Sequence, residues 1–269
     1  MKTGLFRIIS VCAINFLLNY LLLFPLGLFQ YISTPDLKMF GLVGLVVSGI
    51  TAIATILFYR LVDRKKINTL GFRMNNKDLL FSLTSIVVTV LLVMYVVMIG
   101  SERGVISAEW NLQVLSEGRF YSLFLLVFAS WFIAALYEEI LFRGYFVANL
   151  HFLTKKKLYI VSSVIFMIFH IFKGLDPVSI VVLMVMSCVL LYVYLKSGSL
   201  LPGIFAHLIY NFATSHLVGN SEIALLKYNG DLGLFQLIII VLYILITLFL
   251  TNVFYRQTVS STISENVHS

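Results

Sequence analysis

Glu138-Glu139-Ile140-Leu141-Phe142-Arg143 closes a long apolar run, and two further polar clusters follow it, Phe166-x-x-x-His170 and His207-x-x-x-Asn211. Each lies where the surrounding hydropathy places a membrane helix. Ionisable groups are costly in hydrocarbon, about 2.5–3.5 kcal/mol for an Asp, Lys or Arg at a helix centre even on a lenient scale. Glu, Glu, Arg and His on neighbouring spans therefore need partners or chemistry. Together the clusters read as one polar site built within the bilayer.

Composition agrees with a membrane location. The chain of 269 residues is 60% hydrophobic and 12% charged, with a mean hydropathy of +1.00, whereas soluble domains carry about 25% charged residues. We expect an all-α, polytopic membrane protein forming a single integral-membrane domain over residues 1–269. The net charge of +7 does not mark a nucleic-acid binder, because the basic residues fall in short loops between apolar runs, where they set orientation. Cys12 and Cys188 lie in apolar stretches without a CxxC pattern and read as packing residues. Residues 1–31 begin like a signal peptide, with Lys2 and Arg7 ahead of an apolar run. That run is longer than the roughly 7–15 residues of a signal core and no small-x-small cleavage site closes it, so it reads as a retained first span.

A helix needs roughly 20 apolar residues to cross the hydrocarbon. Eight segments qualify: 8–31, 39–59, 79–100, 121–148, 158–172, 177–195, 200–217 and 233–255. The fifth and sixth are short and separated only by the turn at 172–177; merging them would leave seven. The loop after the second segment carries Arg60, Arg64, Lys65, Lys66, Arg73 and Lys77, which predicts a cytoplasmic position by the positive-inside rule. With eight spans, Lys2, Arg7, Lys155–Lys157, Lys196 and Arg256 fall on that same side and both termini are cytoplasmic. Loops 101–120 and 218–232, with Glu102, Glu109, Glu117, Glu222 and Asp231, fall outside. Seven spans would put one of these sets on the wrong side. No internal repeat or low-complexity stretch is present, and the Ser/Thr-rich tail after Arg256 reads as a frayed end.

At about 1.5 Å of rise per residue, His170, Glu138 and His207 lie roughly 18, 15 and 10 Å from the cytoplasmic ends of their segments. All three fall in one half of the membrane. His207 and Asn211, four apart, share a helix face. Glu139 and Arg143 are also four apart, in the favourable order for an ion pair, while Glu138 is turned away by about 100°. Glu139 is thus expected to support Arg143, and Glu138 to be the carboxylate that does chemistry. Pro202 and Gly203 sit where a helix start tolerates a missing amide hydrogen, letting the seventh segment begin below the membrane surface. His151, His216 and His268 lie at loops or ends and receive no role.

Each cluster alone has an ordinary explanation: an interfacial helix end for Glu138-Glu139, a packing hydrogen bond for His170, interhelical glue of about 1 kcal/mol for His207 and Asn211. Their matching depth favours a site. Two imidazoles, a carboxylate and an amide in a semi-buried cavity suit hydrolysis of an amide bond. The carboxylate can take a proton from water near neutrality, and His and Asn can donate to a developing oxyanion. The same Glu138, His170 and His207 could instead hold zinc with a fourth position for water; the residues leave both open. No HExxH, no GxSG serine motif and no GxGD is found, Asn229-Gly230-Asp231 being in a loop.

Glu138-Glu139-Ile140-Leu141-Phe142-Arg143-Gly144, Phe166-Met167-Ile168-Phe169-His170 and Ser199-Leu200-Leu201-Pro202-Gly203-Ile204-Phe205-Ala206-His207-Leu208-Ile209-Tyr210-Asn211 resemble the three motifs of the CAAX protease and bacteriocin-processing (Abi) family, over about residues 130–215. The resemblance implies an eight-helix intramembrane endopeptidase, with a protease core at about 121–217 and its cavity open to the cytosol. It implies that Glu138 and His170 activate water, that His207 and Asn211 stabilise the oxyanion, and that Glu139 and Arg143 support the first motif. The family is described both as metalloproteases and as glutamate proteases without metal, so zinc on Glu138, His170 and His207 remains open beside no cofactor at all. The expected partners are a peptide or protein substrate at the membrane and the bilayer itself, with no nucleic acid.

Loops rich in Lys, Asn, Ile and Leu read as a low-GC bacterial protein of the cytoplasmic membrane, where prenylated CAAX substrates are not expected. Bacterial relatives are linked to bacteriocin self-immunity and peptide maturation. The alternative is a non-catalytic immunity or transport protein that uses the same polar cluster for binding or proton transfer.

Overall fold

In hydrocarbon a backbone amide must be satisfied within its own segment, so long apolar runs become helices. The computed structural model describes residues 2–24, 36–171, 176–230 and 233–256. Among them are eight helices: α1 (Lys2–Leu23), α2 (Leu37–Val62), α3 (Asn76–Glu102), α4 (Gly118–Asn149), α5 (Lys155–Phe169), α6 (Pro177–Ser197), α7 (Leu200–Phe212) and α8 (Gly233–Phe254). The fold is the expected all-α polytopic one. The end of the first predicted segment, most of the 172–177 turn, Asp231, His268 and the tail after Arg256 lie outside the described residues.

Six of these helices are long and apolar enough to cross a membrane. Of the other two, α5 has 15 residues, as many as segment 158–172 but set three positions earlier, and α7 with 13 is shorter than predicted. Segment 158–172 ends early because the backbone leaves the helix at His170 (φ −99°, ψ 0°). Segment 200–217 changes character at Ala213, where the α-helix passes into a π-helical turn, Ala213–Leu217. The outer surface is rich in exposed Leu, Val, Ile and Phe, among them Phe6, Leu61, Leu91 and Phe249, as a lipid-facing surface requires.

Local signals fix the helix ends. Asn75 and Asp78 form a reciprocal capping box at the start of α3. Asp176 caps α6 ahead of Pro177, and Gly198 ends it in the left-handed conformation at φ +64°. The Ser199 hydroxyl accepts from the Leu201 amide to start α7.

α7 is the hub of the bundle, packed against α3, α4 and α6, while α2 runs along α4. Small residues bring that last pair close: a Cβ on Gly44 would strike the Ser130 hydroxyl. Small residues at a helix interface permit such an approach in a membrane.

The basic loops collect at one end of the bundle. Arg7 pairs with Asp63 at 3.1 Å, and Lys65 donates to the Ala148 carbonyl at 2.8 Å and to Asn149 at 2.9 Å. Arg73 donates to the Ser197 carbonyl at 2.7 Å, and the Leu200 amide to Gly71 O at 3.0 Å. The α2–α3 loop therefore braces α1, the end of α4 and the α6–α7 junction. Lys65 is held below the ordinary lysine range by burial. At the opposite end two short strands, β1 (Ser107–Trp110) and β2 (Leu226–Asn229), pair antiparallel with Ser107 opposite Asn229, and Arg119 pairs with Glu222. Four-residue strands are too short to show a period in the sequence.

Candidate active site

α4 carries the first motif. Its α-helical hydrogen bonding ends at Glu139 and a π-helical turn follows over Ile140–Tyr145, a deviation frequent at functional sites. Gly144, at the end of the motif, lets α4 meet the α2–α3 loop: a Cβ there would lie 2.8 Å from the Leu70 carbonyl oxygen.

Glu139 and Arg143 form the expected ion pair, Oε1 to Nη1 at 3.0 Å, with side chains only 1% and 0% exposed. The Arg143 guanidinium also lies 5.0 Å over the Phe166 ring and 3.4 Å from the Ser187 carbonyl. The same Glu139 Oε1 accepts from His207 Nδ1 at 3.1 Å. Its other oxygen faces α7 so closely that a Cβ on Gly203 would lie 3.0 Å away. Glu139 thus locks α4 to α7 through His207, a link absent from the sequence reading because the two residues are 68 positions apart.

Glu138 turns to the other side, as its offset predicts. Its Oε1 lies 3.9 Å from His170 Nε2 and its Oε2 3.7 Å from His207 Nε2. These separations exceed a direct hydrogen bond and allow one water to touch the carboxylate and an imidazole together. Both imidazoles are oriented from behind. His170 Nδ1 is 2.8 Å from the Phe166 carbonyl, which can only accept, so Nδ1 carries a proton. The Phe166 ring packs against His170 at 4.6 Å between centroids. His207 Nδ1 is held by Glu139, so Nε2 of each histidine is the atom presented to Glu138.

A cavity of about 340 Å³ opens over this cluster, lined by Glu138, His170, His207 and Asn211 among others. All four predicted catalytic positions therefore meet in one place. α6 supplies an apolar wall through Val182, Leu183, Met186 and Leu190, and Ser179 stands at its start. Asp176, which caps that helix, is held below the usual carboxylate range by the hydroxyl and amide of Ser179. Trp131, two turns before Glu138 on α4, lines the cavity as well. Of the histidines given no role, His151 lies at the exposed end of α4, 3.3 Å from the Ala148 carbonyl. His216 is at a turn as expected but is buried, packed on Phe40 and Trp131. The helical offset between Trp131 and Glu138 was the signal that could have found Trp131.

Among the described residues no three His, Cys, Asp or Glu side chains are grouped to hold a metal ion. Glu138, His170 and His207 form no such group, the two Nε2 atoms lying 3.9 and 3.7 Å from different oxygens of Glu138. The zinc arrangement does not fit these side chains as they stand.

Residues 120–213 match the profile of a family described as Rce1-like, type II CAAX prenyl endopeptidase Rce1-like. Comparison with curated proteins and with solved structures gives no match. The matched stretch runs from the first turn of α4 through α7 and contains all three polar motifs and the cavity they line. Through this helical core the chain is similar to the type II CAAX prenyl endopeptidase family.

Proposed function

We propose that this protein hydrolyses peptide bonds with Glu138 as the base that activates water. The observation that carries the reading is the convergence of Glu138, His170, His207 and Asn211 on one cavity inside a membrane bundle. Water held between Glu138 and His170 attacks the scissile carbonyl carbon and gives its proton to the Glu138 carboxylate. The carbonyl oxygen, now an oxyanion, accepts hydrogen bonds from His207 and the Asn211 amide. Because His207 Nδ1 is committed to Glu139, donation from Nε2 requires the doubly protonated ring, whose charge the Glu139 carboxylate and the oxyanion balance. The proton then passes from Glu138 to the leaving nitrogen, the C–N bond breaks, and an amine and a carboxylate remain.

The gathering of Arg7, Lys65, Arg73 and Lys196 at one end supports an orientation with that end, and both termini, at the cytoplasmic face of a cytoplasmic membrane. The loop composition favours a bacterial setting, with substrates that are membrane-associated peptides of a self-immunity or peptide-maturation system. The test is to incubate purified wild type and Glu138→Ala with a cellular peptide pool and compare products by mass spectrometry. New termini made only by wild type support the reading. Identical pools favour the non-catalytic alternative, binding or proton transfer through the same cluster.

A further inference from the structure

A second cavity, about 660 Å³ in volume, lies at the basic end, between the start of α3 and the ends of α6 and α8. Arg73, Asn75, Asn76, Lys77, Ser197 and Tyr255 line it. Its walls are braced by hydrogen bonds. Arg73 donates to the Ser197 carbonyl at 2.7 Å, and the Ser199 hydroxyl donates to the Arg73 carbonyl at 2.6 Å. Tyr255 donates to Asp78 at 2.8 Å, whose other oxygen accepts from the Asn75 amide at 3.2 Å. Asp78, beside the cavity, is therefore buried and turned to these two donors.

Two cations face the space. Arg73 keeps guanidinium N–H groups beyond the one given to Ser197, a geometry that suits phosphate oxygens. The Lys77 side chain makes no hydrogen bond or ion pair among the described residues. The Asn76 and Lys77 amides stand at the first two positions of a 27-residue helix, ahead of its first intrahelical bond, Leu79 N to Asn75 O at 3.1 Å. Such amides and the helix dipole favour an anion. Beside this polar floor Met74 is 68% and Phe72 39% exposed. Cations over a polar pocket with apolar side chains at its rim match the boundary between headgroups and acyl chains.

We propose that this cavity binds the phosphate group of an anionic lipid, with Arg73 and Lys77 on the phosphate and Met74 and Phe72 against the acyl chain. It lies apart from the Glu138 cavity and does not depend on the proteolytic reading. Because α3 and the α6–α7 junction form its walls, the lipid bridges the brace that positions α7. Full-length protein in detergent, titrated with short-chain phosphatidylglycerol, short-chain phosphatidylcholine and inorganic phosphate, tests this by native mass spectrometry. One phosphatidylglycerol adduct should bind at least about ten-fold more tightly than phosphatidylcholine, and Lys77→Gln should weaken it about five-fold. Arg73→Lys should retain most of the affinity and Arg73→Gln should not. Lys77 is the decisive position because Arg73 also braces the fold. Displacement of the lipid by inorganic phosphate at matched concentration would transfer the site to soluble phosphates and overturn the lipid assignment. Equal affinity for both lipids, or unchanged affinity in Lys77→Gln, would overturn the site itself.

Discussion

Glu138 and Glu139 are neighbours in sequence and opposites in structure. Glu139 is 1% exposed and contacts Arg143 and His207 at 3.0 and 3.1 Å. Glu138 is 19% exposed, lines the cavity, and stands 3.7 and 3.9 Å from two imidazole nitrogens. One carboxylate is close-coupled to a fixed guanidinium and a fixed ring. Its neighbour, rotated by about 100° around the same helix, faces a cavity of about 340 Å³. The difference teaches that adjacent glutamates can meet two environments, a buried ion pair and a cavity wall, which under the proposed function would divide scaffolding from chemistry, and that His207 touches both, through Nδ1 to one and Nε2 to the other.

Substitutions that act on one side only should separate the two roles. Glu138→Gln keeps the shape and removes the base. Turnover should fall by about 10²–10⁴-fold with the thermal midpoint unchanged, as read by peptide cleavage alongside unfolding in detergent. Arg143→Met should do the reverse in kind. It leaves Glu139 buried with half its charge balance gone and should destabilise the fold by about 3–5 kcal/mol, measured by denaturant unfolding. The double change Glu139→Gln with Arg143→Met should recover part of that loss in stability without restoring activity, since His207 then lacks its orienting carboxylate.

Asn211→Ala tests the cavity side from α7. Loss of an oxyanion donor should lower kcat by about 10²–10³-fold while KM moves little. Gly203→Ala tests the Glu139 side from α7. The added Cβ would meet Glu139 Oε2 at 3.0 Å, and a carboxylate pinned by two partners cannot retreat, so a cost of about 1–3 kcal/mol in stability is expected. The smallest effect should come from Asp176→Ala, which removes the cap of α6. Because its folded carboxyl titrates below the ordinary value, the cap's contribution is present above the unfolded pKa and fades as pH falls through the folded one. Amide exchange at Val178 and Ser179 should quicken in the variant at neutral pH, and in wild type only in acid.

Much of this comparison was legible before any coordinates. Runs of about 20 apolar residues located the long helices, and alternation of basic and acidic loops put the start of α1 and the end of α8 at one end of the bundle, where Arg7 meets Asp63 and Tyr255 meets Asp78. The i, i+4 spacing assigned Arg143 to Glu139, and the pair forms although the backbone between them enters a π turn. The rest was hidden for physical reasons. Hydropathy cannot see that α5 stops at Phe169, because Ile171 and Phe172 continue the apolar run in sequence past the last helical residue. The His207–Glu139 bond depends on the packing of α7 against α4, which no local period encodes. The α2–α3 loop reads only as positive charge, yet its Leu70, Gly71 and Arg73 contacts hold the helices that carry the motifs. Pairing of β1 with β2 joins loops more than a hundred residues apart.

The central claim is that Glu138 delivers water to a peptide bond. Cleavage run in H₂¹⁸O tests it most directly, with wild type and Glu138→Gln compared at equal folded concentration. The account predicts that wild type produces new C-terminal carboxylates carrying ¹⁸O and that Glu138→Gln produces essentially none. Labelled products at wild-type rate from Glu138→Gln would contradict it, and would move the base to another group of the cavity.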